Sequence, residues 1–267
     1  MFWNLKEAAA EVGGSKIDYA VFGKGKKTMV IIPGLTLRDV KGAGAGLALM
    51  YKIFARDYRV YVIDKKHDIP EGCTVDDLAR DTAEAMRALG IEGAYVVGVS
   101  LGGMIAQRLA IDAPDLVKKL VLCVTASRAN SAVEAAIARW VSFAEKGDFG
   151  GIVQDMMNVM YSERYVKRYG SMLPLLAKLS NPKNEARFIR LAKACLTCDT
   201  YENLGNIACP TLVLGGEDDK IVTGAASLEI AEKLGCDVHM YAGLGHSAYE
   251  EATDFNLRIK NFFDGEG

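Results

Sequence analysis

Short runs of branched apolar residues recur along the chain, separated by longer segments with helical spacing of apolar positions. Five runs are candidate strands: "TMVIIPG" (28–34), "YRVYVID" (58–64), "AYVVGVS" (94–100), "KLVLCVT" (119–125) and "CPTLVLGG" (209–216). Continuous apolar runs are typical of strands buried on both faces, and strands that alternate with helices form parallel sheets. The pattern predicts an α/β fold with a mostly parallel central sheet flanked by helices.

Two further elements have recognisable boundaries. Between the second and third runs, Thr74 and Asp77 form a capping-box pattern and Gly90 provides a stop, so a crossover helix is expected there. Ahead of the sheet, "KIDYAVFGKGKK" (16–27) predicts an antiparallel edge strand and a turn, because it ends in glycines and lysines.

The strand pattern disappears between residues 127 and 204, where four helix-like stretches follow one another. Ser131 and Glu134 have the spacing of a second capping box, and Asn181 before Pro182 predicts a helix start. This segment is expected to be a helical cap inserted into an α/β core of residues 1–126 and 205–267. The final segments, "DVHMYAGLGHSAYEE" and "FNLRIKNFF", predict one more strand with its loop and a terminal amphipathic helix.

Composition narrows the classes of function. The 267 residues carry a formal net charge of -2 with acidic and basic residues evenly mixed, which argues against a nucleic-acid partner and for a small-molecule substrate. No apolar run is long enough for a membrane span, and the first residues do not resemble a signal peptide, so a cytoplasmic location without membrane association is expected. Nothing in the sequence indicates an oligomeric state.

Neither a metal centre nor a cofactor is expected. Cys195 and Cys198 form "CLTC", but two further zinc ligands at matching spacing are missing, so both are expected to be buried cap residues. The glycines of "GAGAGLALM" (42–50) lack the spacing of a nucleotide-binding turn. The scattered cysteines predict reduced thiols rather than disulfides.

The candidate chemistry centres on Ser100 in "GVSLGG". The G-x-S-x-G pattern stands between a predicted strand and a predicted helix, which is the context of a nucleophile elbow. Gly98 and Gly102 are expected to be required because the chain approaches itself closely at such a turn. The helix that starts near Leu101 points its N–H groups at the serine, where an oxyanion could be stabilised.

A serine nucleophile needs a base, and histidine suits that task. His67 lies in a charged loop and His239 inside a strand, whereas His246 lies in a glycine-rich loop after the last strand. His246 is therefore the candidate base. An orienting carboxylate is expected at the end of the preceding strand, where "GGEDDKIV" offers three acids: Glu217, Asp218 and Asp219.

These segments resemble the α/β-hydrolase family over essentially the whole chain: "GVSLGG" its nucleophile elbow, "GGEDDKIV" its acid loop and "GLGHSAYEE" its histidine loop. The resemblance implies a catalytic triad of Ser100, Asp219 and His246, with Asp218 as the fallback acid. It also implies an oxyanion hole formed by the main-chain N–H groups of Leu35 and Leu101, although this chain has Pro33 where many members have histidine.

The resemblance is greatest to small esterases and lactonases with a helical cap. It implies a serine hydrolase that cleaves a carboxylester, lactone or thioester of a small molecule through an acyl-enzyme. Trp140, Met156 and Met160 of the cap are candidate pocket residues. Two alternatives remain: a hydrolase-like binding or receptor module with little turnover, and a carbon–carbon bond hydrolase or perhydrolase.

Overall fold

A computed structural model describes residues 3–172 and 184–265. Its single sheet has eight strands: β1 (Lys6–Val12), β2 (Ser15–Phe22), β3 (Lys27–Ile32), β4 (Tyr58–Lys66), β5 (Ala94–Val99), β6 (Val117–Cys123), β7 (Thr211–Gly216) and β8 (Asp237–Tyr241). They lie in the order β1-β2-β4-β3-β5-β6-β7-β8. The pairs β1–β2 and β2–β4 are antiparallel and all others are parallel, which confirms the predicted fold class.

Ten α-helices are described, and several 3-10 turns join them. The helices are α1 (Gly44–Met50), α2 (Val75–Ala88), α3 (Leu101–Asp112), α4 (Ser131–Ala144), α5 (Phe149–Met160), α6 (Glu163–Tyr169), α7 (Glu185–Ala194), α8 (Gly224–Leu234), α9 (Ala248–Glu251) and α10 (Phe255–Asp264). The 3-10 turns are Lys52–Phe54, Pro114–Leu116, Gly170–Met172, Cys195–Thr197 and Tyr201–Asn206.

The sheet separates two apolar cores. Along β3, Val30 and Ile32 face the core that contains α2, α3 and α8, whereas Met29 and Ile31 face the core that contains α10. This alternation is the two-residue period of a strand. Because both faces are covered, the inner strands need apolar residues at every position, which is why their sequences are continuous apolar runs.

Three local expectations can be compared with the structure. The Thr74–Asp77 capping box is present at the start of α2. The helix α4 begins at Ser131, but its N-cap is Asn130, whose side chain accepts hydrogen bonds from the N–H groups of Ala132 and Val133. The predicted capping box of Ser131 and Glu134 was therefore wrong by one residue. The expected helix start at Asn181 and Pro182 lies outside the described residues.

The expectation that the strand within residues 16–27 forms the edge of the sheet is wrong. β2 is antiparallel, as predicted, but β1 pairs with its outer side, so β1 and not β2 is the edge of the sheet. Between β6 and β7 the described residues form helices and turns, and their only pairing of strand type is an isolated bridge between Arg128 and Asp199.

Candidate active site

Ser100 lies in a strained turn between β5, which ends at Val99, and α3, which begins at Leu101. Its φ of 52° is in the left-handed region that side chains disfavour, at a cost of about 1–3 kcal/mol. Two hydrogen bonds hold it there: the Ser100 N–H donates to Cys123 O (2.9 Å), and Thr125 Oγ1 donates to Ser100 O (2.8 Å). The turn exposes the hydroxyl at the carboxyl edge of the sheet.

The glycines around Ser100 are required by close approach of the main chain. A Cβ on Gly102 would lie 1.9 Å from the carbonyl oxygen of Ile32, and one on Gly98 would lie 2.5 Å from that of Gly102. Both contacts are with rigid backbone, so neither could be relieved by rotating a side chain. α3 can therefore pack against the end of β3 only with glycine at 102, and against β5 only with glycine at 98.

The structure brings Ser100, His246 and Asp219 together. The Ser100 Oγ lies 2.9 Å from His246 Nε2, and His246 Nδ1 lies 2.8 Å from Asp219 Oδ2. His246 is only 2% exposed, so its ring is held by these two contacts in a dry environment. The other histidines lie elsewhere: His67 contacts Asp18 at 2.8 Å, and His239 packs edge-on against Tyr241 in β8.

Asp219, rather than Asp218, contacts the histidine. Asp219 is buried, whereas Asp218 is exposed. The second carboxylate oxygen of Asp219 accepts hydrogen bonds from the N–H groups of Ile221 (2.8 Å) and Val222 (3.0 Å). Burial by itself raises the pKa of the Asp219 carboxyl, but His246 and the two N–H donors outweigh it and hold that pKa below its usual value. Asp219 is therefore ionised at neutral pH.

The predicted oxyanion donors, Leu35 and Leu101, belong to segments next to Ser100. Leu101 is the first residue of α3, where no carbonyl of the helix can accept its N–H. Leu35 follows Gly34, and a Cβ on Gly34 would lie 3.2 Å from the Ser100 Cβ, so the loop after β3 passes directly over the serine. Within the described chain, the Leu35 N–H has no hydrogen-bond acceptor. Among the described residues, the Leu101 N–H likewise has no hydrogen-bond acceptor, and the role of both groups stays a prediction.

A cavity of about 160 Å³ opens beside Ser100 and His246, and Trp140, Met156 and Met160 line it. The Trp140 indole N–H donates to Asp155 (2.8 Å), so the ring contributes an apolar surface to the cavity. Met156 and Met160 also line a neighbouring cavity of about 360 Å³. The helices between β6 and β7 thus form part of the wall opposite the serine.

Sequence reasoning missed two residues at this site. Glu250 lies on α9, four residues after His246. It lines both cavities and accepts a hydrogen bond from Tyr161 Oη (2.6 Å). Glu250 is exposed to solvent, and partial desolvation of its carboxyl group by nearby protein atoms raises its pKa above the usual value. Lys65, near the end of β4, reaches the loop over the serine. A charged residue inside an apolar strand is the signal that could have identified it.

Other candidate sites of the sequence have an ordinary structural role. The cysteines are free, and Cys195 and Cys198 are buried, with thiols that donate to the carbonyls of Leu191 and Ala126. Burial raises the pKa of both thiols to about 12. Across residues 3–172 and 184–265, no three metal-binding side chains cluster together. The same residues include no helix with the length and hydropathy that a bilayer crossing requires.

Comparison with known proteins gives the family. The family model described as alpha/beta hydrolase fold matches residues 27–253. A putative carbamate hydrolase, RutD, of Serratia proteamaculans is 25% identical over 215 residues, which is 78% of this chain and 79% of the relative. A 2-hydroxy-6-oxononadienedioate/2-hydroxy-6-oxononatrienedioate hydrolase of Paraburkholderia xenovorans is 27% identical over 286 residues, or 98% of this chain and 94% of the relative.

Solved structures show the same fold. The enol-lactonase from Burkholderia xenovorans superposes with a TM-score of 0.84 at 22% identity, over 97% of this chain and all (100%) of that one. A hydrolase from a deep-sea metagenome library, MGS-M2, gives a TM-score of 0.84 at 22% identity, over 97% of this chain and 98% of that one. With the family model matched along most of its length, the chain belongs to the α/β-hydrolase family.

Proposed function

We propose that this α/β hydrolase is a serine hydrolase that cleaves an ester-type bond of a small molecule through an acyl-enzyme. The observation that carries the proposal is the continuous line from the Ser100 hydroxyl through the His246 ring to the Asp219 carboxylate, with contacts of 2.9 Å and 2.8 Å. A serine hydroxyl is a weak nucleophile unless a neighbouring base accepts its proton, and this line supplies that base.

In the first half of the reaction, Ser100 Oγ attacks the carbonyl carbon while its proton moves to His246 Nε2. Asp219 accepts the Nδ1–H and stabilises the imidazolium that forms. The carbonyl oxygen becomes an oxyanion and accepts hydrogen bonds from the main-chain N–H groups of Leu35 and Leu101. When the intermediate collapses, the carbon–oxygen or carbon–sulfur bond breaks and His246 returns the proton to the leaving alcohol or thiol.

In the second half, a water molecule repeats the attack on the acyl-enzyme. His246 Nε2 takes a proton from the water, the same two N–H groups bind the second oxyanion, and the bond between the acyl carbon and Ser100 Oγ breaks. The proton then passes from His246 to Ser100 Oγ, which releases a carboxylic acid and restores the free enzyme. A lactone gives a single hydroxy acid by the same steps.

The cavity favours a small, uncharged acyl group. Its volume of about 160 Å³ is close to that of engineered cavities that bind a benzene ring. The methionines of its wall adapt to different apolar shapes, and the described lining includes no lysine or arginine that could compensate the charge of an anionic substrate. We propose that residues 127–204 form the cap that shapes this pocket, and that the protein acts in the cytoplasm on a small-molecule substrate.

The printed names of the relatives extend the range of chemistry to be tested. One relative is named a carbamate hydrolase, and another is named for a substrate with two carboxylates. Arg38 is the only cationic side chain among the described residues that line the two cavities, and Glu250 lies in both. A dicarboxylate would therefore find little compensation for its charge, which favours neutral esters.

A substrate panel tests the proposal. Wild-type protein and Ser100→Ala would be assayed with carboxylesters, lactones and thioesters of graded acyl length, together with an aryl carbamate and a vinylogous diketone for carbon–carbon cleavage. We expect hydrolysis of short neutral esters that Ser100→Ala abolishes while its circular dichroism stays native. Turnover of the diketone alone would establish carbon–carbon cleavage instead, and binding without turnover of any compound would indicate a receptor.

A further inference from the structure

Lys65 connects the end of β4 to the loop that passes over Ser100. Its ammonium donates a hydrogen bond to the carbonyl oxygen of Gly34 (2.8 Å) and another to that of Pro33. The residue is only 5% exposed. Among the ion pairs of the described residues none involves Lys65, so these two carbonyls are the partners of a buried positive charge.

A buried ammonium without a carboxylate in contact is costly to the fold. The nearest acid in sequence, Asp64, is already engaged by Arg187 Nη2 (3.1 Å) and by the main-chain N–H groups of Val40 and Lys65. A leucine or methionine would fill the same place in an apolar strand without that cost. The buried charge of Lys65 is therefore explained by its hydrogen bonds to the loop of Pro33 and Gly34.

The geometry of the Gly34–Leu35 peptide group determines how the contact of Lys65 with the Gly34 carbonyl affects the Leu35 N–H. No cis peptide bond occurs in the described chain, so the Gly34 carbonyl and the Leu35 N–H point in opposite directions from the same plane. Lys65 holds the carbonyl side, so the Leu35 N–H is directed away from Lys65, and the Ser100 Cβ lies 3.2 Å from where a Gly34 Cβ would be. Pro33 has no N–H of its own, so its carbonyl is the main-chain group through which that residue is held.

We propose that Lys65 is a positioning residue, which orients the Leu35 N–H toward the oxyanion formed at Ser100. The inference rests on the proposed function, because an oxyanion forms only if Ser100 is acylated. Lys65 touches neither substrate nor Ser100, and it acts through the Gly34–Leu35 peptide group. Without it that peptide is free to rotate, and Leu35 offers its N–H in the productive direction for only part of the time.

The test compares Lys65→Met with the matched control Lys66→Met. Lys66 is the next residue of the same strand, but its ammonium pairs with Asp81 and not with the loop. Loss of one oxyanion donor costs roughly 10²–10³ in kcat, so loss of its alignment should lower kcat by about 10- to 100-fold. KM should change little, because the oxyanion is present only in the transition state. Lys66→Met should keep the wild-type kcat.

A second readout does not require turnover. Phenylboronic acid forms a tetrahedral adduct with a reactive serine, and its oxygen would occupy the place of the oxyanion. We expect Lys65→Met to weaken this binding by about 10- to 100-fold, in line with the change in kcat, while Lys66→Met binds as wild type does. Should Lys65→Met not fold, Lys65→Gln, which is too short to reach both carbonyls, is measured with the same expectation.

The outcomes separate the two proposals. If wild-type protein binds the boronic acid but hydrolyses no ester, the proposed function fails and Lys65 is still tested by the binding ratio. If wild-type protein neither binds nor hydrolyses, both proposals are overturned. If the folded Lys65 variant keeps wild-type kcat and boronic acid affinity, or loses no more than Lys66→Met, the positioning role is overturned while the serine hydrolase proposal stands.

Discussion

Replacing Asp219 with asparagine tests the proton path through His246. The Asp219 Oδ1 accepts two main-chain N–H groups, from Ile221 and Val222, and Oδ2 contacts His246 Nδ1 at 2.8 Å. An asparagine has one oxygen and one NH2 group for these two sides. If the NH2 group faced the two N–H donors, both would lose their acceptor, at a cost of roughly 1–3 kcal/mol for each buried group.

The asparagine oxygen should therefore take the place of Oδ1, which leaves the NH2 group facing His246. His246 Nδ1 must then accept a hydrogen bond, so the proton resides on Nε2 and points at Ser100. In this tautomer the ring cannot take the serine proton. The equivalent replacement in a serine protease lowers kcat about 10⁴-fold, which corresponds to about 5.4 kcal/mol in the activation free energy.

The assay is steady-state hydrolysis of a p-nitrophenyl ester by Asp219→Asn, with Asp218→Asn as the matched control. Asp218 is adjacent and exposed, so its replacement should leave kcat within about twofold of wild type. Urea denaturation verifies that both variants are folded. A kcat for folded Asp219→Asn above a tenth of the wild-type value, or a collapse of activity in Asp218→Asn, would refute the assignment of the acid.

Three further predictions concern packing, the pocket and pH. Gly102→Ala should lower the free energy of unfolding by more than about 3 kcal/mol in urea denaturation, because its Cβ would lie 1.9 Å from Ile32 O. Gly46→Ala, an α1 position with open space around it, should stabilise the protein by up to about 1 kcal/mol; equal effects would contradict the packing argument.

Met156→Ala should join the two cavities and shift the ratio of kcat/KM values toward longer acyl chains, and an unchanged ratio would exclude Met156 from the pocket wall. Burial lowers the pKa of Lys65 from 10.5 to about 8, so the folded protein loses this proton at lower pH than the unfolded chain. Wild type should therefore gain stability relative to Lys65→Met between pH 8 and pH 10 by denaturant titration, and a constant difference would contradict this.

The sequence predicted the inner sheet well but the edge poorly. The strands β3 to β7 are covered on both faces, and so their apolar runs are strong signals. β1 reads "KEAAAEV", which is rich in helix-forming residues and has no run of branched apolar residues. It is a strand because it pairs along its full length with β2. Such pairing overrides local propensity and cannot be read from the segment itself.

The site shows a similar division. Ser100 and His246 stand in motifs with distinctive glycines, and the structure brings their side chains together as expected. The preference for Asp219 over Asp218 depends on which carboxylate the loop buries, and neighbouring acids look alike in a sequence. The contact of Lys65 with Gly34 requires β4 to lie beside β3 with their carboxyl ends level, which only the folded sheet defines.

The central claim is that His246 activates Ser100 as a nucleophile. It is tested most directly by the rate at which a fluorophosphonate modifies Ser100, followed by intact mass and located by peptide mapping, in wild type and in folded His246→Gln. The account predicts one adduct, on Ser100, that forms at least about a hundredfold more slowly in the variant. Modification at another residue, or equal rates in the two proteins, would contradict it.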